Sequence, residues 1–207
     1  MSEASPVGGF DTPDPFGEFF LPSDLIGKSS ALLQKWFPTY LQKLEERTGV
    51  KKGTLKVPDN YNSRTAIEGV PGESLPRVVV LVTGLTDAPT KDGRGIYRAS
   101  YRMGVGVVVV AESELEAYTL STLYGAAVKM IVLHHPGILG ASDHTEWIDE
   151  SFDVVPTASE NQKFRGVAEW FSVGVNNVVQ FARGPQDPAH IYGVAEKVEV
   201  ELQRDEI

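Results

Sequence analysis

The 207-residue chain contains no cysteine, which removes disulfide frameworks, thiolate zinc sites and thiol nucleophiles together. Packing alone has to hold the fold. No apolar run approaches the ~18–20 residues needed to span a bilayer, so no membrane partner is expected. Basic residues are in short supply: 19 Lys and Arg stand against 28 Asp and Glu, for a formal net charge of −9. A general attraction to DNA, RNA or anionic lipid is therefore missing, and any nucleic-acid contact has to be local. Residues 1–20 lack the basic start and apolar core of a secretory signal. Residence in a reducing cytoplasm is the default expectation.

What is present is a 42% apolar content, enough for one domain of about 150 residues with additional segments. Residues 1–28 read as an extended N-terminal arm, broken by Pro and Gly yet carrying Phe10, Phe16, Phe19 and Phe20. Disordered linkers are poor in aromatics, so these rings imply an arm ordered by docking, either on its own domain or on a neighbour. Residues 29–183 read as an α+β domain, and 184–207 as a C-terminal extension.

Within the domain, Ser29 and Ser30 are candidate caps for a helix in which Leu33, Phe37, Tyr40, Leu41 and Leu44 recur at helical spacing. Pro38 either kinks it or marks the start of its well-formed part, and Gly49 is its expected C-cap. Residues 54–76 read as a loop with room for one short strand. The β-branched run PRVVVLVT (76–83) predicts a central strand. The turn-rich stretch 84–95 then leads to a long strand over 96–110, with a bend or bulge expected at Gly104 and Gly106. The two strands form a hairpin with a long tip. A second helix over 111–133 has Ser113 as N-cap and Leu115, Tyr118, Leu123, Ala127, Met130 and Ile131 on its apolar face. Strands follow at 146–154 and 164–179, the latter alternating Val167, Glu169, Phe171, Val173 and Val175 with Ala168, Trp170, Ser172 and Gly174. The alternation of Val198, Val200 and Leu202 allows an edge strand in the extension, paired within its own sheet or with a neighbour's. The element order α-β-β-α-β-β predicts an α+β fold: a mostly antiparallel sheet of about four or five strands with helices packed on one face.

Chemistry-bearing patterns are weak. His134, His135, Asp143, His144 and Glu146 hold metal-ligating groups without a metal-site spacing, and a helix C-cap followed by a solvated loop accounts for them. Gly104 and Gly106 lie in a strand, not in a phosphate loop. Ser113 and Ser121 lack the sharp turn that exposes a nucleophile. No catalytic residue, metal or cofactor is assigned, and an enzyme is not expected. Lys91, Asp92, Arg94, Arg98 and Arg102 put a basic excess on the hairpin tip and one strand face, which is either solvated surface or a surface that reaches a partner subunit or faces passing DNA in a channel. Together with the four phenylalanines they form the candidate partner interface. Trp36, Trp147 and Trp170 suit either core or interface.

The segments RVVVLVTG (77–84), YRASYRMGVGVVVVA (97–111) with ELEAYTLSTLYGAAVKMIVLHH (114–135), and RGVAEWFSVGVNNVVQFARGP (165–185) together resemble the tail terminator, or tail completion, proteins of long-tailed bacteriophages, especially those of actinobacterial hosts. The likeness spans about residues 32–185 and lies in element order and texture. It implies a small α+β fold and a hexameric ring at the head-proximal end of the tail tube, assembled in the host cytoplasm. That ring halts tube growth and offers a joining surface to the neck. The implied partners are copies of the chain, the major tail tube protein and neck or head-tail connector proteins, with DNA only as passing cargo. The arm and the C-terminal extension add to the family core, which leaves a neighbouring neck completion protein as the near alternative. A small-molecule binding or enzymatic α+β domain is the distant one.

Overall fold

The computed structural model describes residues 16–61, 75–91, 96–135, 144–154 and 162–181. Expectations resting on Phe10, Asp92, Arg94, Asp143 and the C-terminal extension lie outside them. The elements run β1 (Phe16–Phe19), α1 (Pro22–Thr48), β2 (Asn60–Tyr61), β3 (Arg77–Leu85), β4 (Thr90–Lys91), β5 (Ile96–Ala111), α2 (Glu114–His134), β6 (Thr145–Val154) and β7 (Lys163–Phe181). The fold is α+β, and its helices pack on the sheet.

Four long strands dominate the sheet, in the order β6-β7-β5-β3, all paired antiparallel. The short β2 adds a parallel pair beyond β3, with Asn60 opposite Arg77. The short β1 continues the β6 side along the end of β7, and β4 lies beside β5. Described strands therefore end at β6 on one side and at β2 on the other.

Period decides which residues face the helices. Alternate residues of β5 (Tyr101, Met103, Val105, Val107, Val109) and of β7 (Val167, Phe171, Val173, Val175) are buried with Val78 and Val80 of β3 in one core. From α1 it receives Leu25, Leu32, Leu33, Phe37, Leu41 and Leu44, and from α2 Tyr124, Ala127, Val128, Ile131 and Val132. Each large side chain buried this way contributes about 1.5–3 kcal/mol relative to exposure. α1 lies toward β3, while α2 covers β5, β7 and β6.

Three local expectations are corrected. α1 begins at Pro22, not at Ser29 or Ser30, because proline suits the first helical position and the Asp24 carboxylate accepts from the Leu21 N–H at 2.8 Å. Ser29 lies buried within the helix, its Oγ 3.0 Å from Met103 Sδ. The helix runs through Pro38, which sits on the solvent side where water can hydrate the carbonyl its ring leaves unbonded. Gly49, at φ 72°, caps the end as expected.

In α2 the Ser113 cap holds, accepting from Glu116 N–H at 3.2 Å, but the first turns present a different face. Leu115 is 76% exposed and Tyr118 45%, whereas Ala117, Ser121 and Tyr124 turn inward. Gly104 and Gly106 make no bulge, since β5 keeps its register with β7 from Ala99 to Ala111. Gly104 serves close approach instead: a Cβ there would lie 2.8 Å from the Trp170 ring.

Candidate functional site

Of the expected interface residues, Phe16, Phe19, Phe20, Lys91, Arg98 and Arg102 fall among the described residues. β1 pairs with β7 through Phe16 opposite Phe181 and Phe19 opposite Val179. Phe20 is half-buried against its own core, with its N–H bonded to the Val178 carbonyl at 2.9 Å and its ring 6.4 Å from Tyr101. The described end of the arm is thus docked on its own chain. Lys91 is exposed in β4 with its ammonium over the Tyr97 ring. Arg98 and Arg102 are exposed on β5, and the Arg102 guanidinium lies 4.8 Å above the Trp170 ring and 3.9 Å from Asp149.

The histidines of the candidate metal set are engaged with other side chains. Tyr40 Oη is 3.0 Å from His134 Nδ1 and 3.2 Å from His135 Nε2, and Trp36 stacks on His135 at 4.4 Å. Burial, then His134 and Lys35, hold the His135 pKa below its ordinary value. His144 pairs instead with Glu146 at 3.1 Å. No group of three potential ligands occurs among the described residues. The cluster ties the end of α2 to the middle of α1.

Two anchored edges emerge that residue patterns did not single out. The first is β6. Its partner on one side is β7, and among the described residues nothing pairs with its other side. Register slips between Trp147 and Asp149, so Ile148 is an inserted residue. Trp147 and Ile148 remain 45% and 43% exposed. Behind them lies an ionic cluster. Glu169, opposite Glu150 in the β6–β7 ladder, is fully buried and accepts from Trp147 Nε1 at 2.9 Å. Lys129 on α2 binds Glu150 at 2.7 Å, stands 3.6 Å from Glu169, and covers the Trp147 ring at 4.6 Å.

Burial and the adjacent Glu150 push the Glu169 pKa up to about 8. For Glu150, burial acts to raise the pKa, but the bonds from Lys129 and Glu169 outweigh it and the net shift is downward. Gly125 is what lets the carboxyl fit, because a Cβ there would lie 2.6 Å from Glu169 Oε1 and 2.9 Å from Val167 Cγ2. Glu169 is shut away from solvent and engaged with its neighbours, so the cluster holds β6 and the Trp147 indole in place instead of meeting a substrate. The sequence did carry one signal: a glutamate in the inward register of an otherwise apolar strand.

The second edge is the loop from Gly49 into β2. Glu45, buried on α1, accepts from Gly53 N–H at 3.0 Å and Leu55 N–H at 2.7 Å, and those two bonds hold its pKa below the ordinary value. The Tyr124 hydroxyl donates to the Lys56 carbonyl at 2.5 Å. Leu55 and Pro58 are buried, whereas Lys51, Lys52, Lys56 and Val57 face solvent. Both edges are tied down by these contacts and both present side chains outward.

The chain matches no protein-family model and no curated protein. No helix among the described residues is long and apolar enough to cross a membrane.

Proposed function

We propose that the chain is a structural virion protein that forms a ring on the head-proximal end of a phage tail tube, stops its polymerisation and provides the joining surface to the neck. The reading draws on the resemblance of residues 32–185 to tail terminators. The observation that carries it is the β6 edge, which has no strand on its outer side among the described residues, with Trp147 and Ile148 exposed over a buried cluster that fixes them. Open strand edges template association with another chain, and rigid exposed aromatics serve as anchors in protein interfaces. A subunit with mutually complementary surfaces at its two ends associates head to tail, and when the rotation closes it makes a ring with a free axial face. Six copies are proposed, with no catalytic step and no cofactor.

The test is electron microscopy of particles made by the encoding phage with and without the chain. Without it, tails of uncontrolled length that fail to join heads are expected. Tails of normal length joined to heads would overturn the reading. Loss of joining alone, with tube length unchanged, would move the chain to the neck.

A further inference from the structure

The two ends of the sheet carry opposite charge. β6 contains Glu146, Asp149, Glu150 and Asp153 without a lysine or arginine. Of these, Glu150 is committed to Lys129, while Glu146, Asp149 and Asp153 are exposed, Glu146 lying 3.1 Å from His144 and Asp149 3.9 Å from Arg102. At the other end, Lys51, Lys52 and Lys56 are exposed on the loop leading to β2, and no ion pair engages them among the described residues. That is a concentration of positive charge in a chain whose net charge is −9. Each end also carries exposed apolar surface: Trp147 and Ile148 on β6, Val57 beside the lysines.

We infer that the acidic β6 edge of one copy docks against the Lys51–Lys56 loop of the next, so that a second copy of this chain is the occupant of both edges. The inference rests on the ring reading above and supplies its subunit contact. Charge complementarity selects the partner. Two β6 edges brought together would oppose carboxylates, and two loops would oppose ammonium groups, so like-to-like pairing is disfavoured and head-to-tail pairing favoured. The arrangement is the one a heterologous ring requires, because each copy offers one surface of each kind at opposite ends of the sheet order. Association should weaken with added salt, since the paired charges are surface ones.

Charge exchange tests it. The triple variant E146K/D149K/D153K is basic at both edges, and K51E/K52E/K56E is acidic at both. All six side chains are exposed, and circular dichroism checks that the variants remain folded. In sedimentation velocity at low salt, each triple variant alone is expected to associate at least ~10-fold more weakly than wild type. An equimolar mixture should recover association, because each basic β6 then finds an acidic loop and each acidic β6 a basic loop. Undiminished association of either variant, or a mixture no better than its parts, overturns the inference while leaving a ring built on other contacts. A wild-type chain monomeric up to about 1 mM also overturns it, whereas the functional reading stands or falls on where the chain sits in particles.

Discussion

The two edges of this sheet are each anchored by a sheltered glutamate, and the two glutamates behave in opposite ways. Glu45 meets backbone N–H groups of Gly53 and Leu55, which favour its anion and lower its pKa. Glu169 meets burial and a second carboxylate, which favour its protonated form and raise its pKa to about 8. The anchoring chemistry is therefore robust to pH above the carboxylate range on the loop side and sensitive to it on the β6 side. What a buried carboxyl contributes is set by its donors and neighbours, not by burial alone.

The largest way to break that contrast is pH itself. With its folded pKa above its unfolded value, Glu169 is bound to its proton more tightly in the native chain. Stability from this group is intact below about pH 4.5 and is lost progressively as pH rises toward about 8, then levels off. Urea unfolding between about pH 5 and about pH 9 should register a decline on the order of 2–4 kcal/mol from this residue, and Glu169→Gln should flatten it. An equal decline in E169Q would place its origin elsewhere. The Glu150 pKa is lowered, so its own contribution is lost in the other direction, as pH falls below the carboxylate range.

Next in size is Gly125→Ala, which drives a methyl group against Glu169 Oε1 and Val167. A loss of about 1–3 kcal/mol is expected from overpacking. Combining it with Glu169→Ala tests their coupling, because costs that simply add would mean that Gly125 is not the cradle of that carboxyl. On the opposite edge, Tyr124→Phe removes the bond to the Lys56 carbonyl at about 0.5–1.5 kcal/mol. Tryptic cleavage at Lys51, Lys52 and Lys56 in the native state should accelerate, and an unchanged rate would mean that the loop does not depend on that tether. Smallest is Leu115→Ala. At 76% exposed, it should change monomer stability by no more than about 0.5 kcal/mol in denaturant unfolding.

The long elements were legible because their periods are strong. The β-branched run 77–83, the alternations of β5 and β7 and the cap at Ser113 each gave the element found. The start of α1 was missed because Ser29 and Ser30 resemble caps, while the proline start at Pro22 lay in a segment taken for an arm. The inward face of α2 was misassigned over its first turns because Leu115 and Tyr118 are apolar where small residues, Ala117 and Ser121, meet the sheet. The edges were less legible still. Trp147 and Glu169 are far apart in sequence and become partners only through the β6–β7 register, and the Lys51–Lys56 loop gains its rigidity from Glu45 and Tyr124, which no local pattern links to it.

A cysteine-free chain permits the most direct test of the head-to-tail account. Ile148→Cys places a thiol on the β6 edge and Val57→Cys one on the loop edge, both at exposed positions. On mild oxidation of the purified protein, the doubly substituted chain should give a ladder of covalent oligomers, while each single variant stays largely monomeric. Efficient dimers from I148C alone, or no ladder from the double variant, would contradict the account.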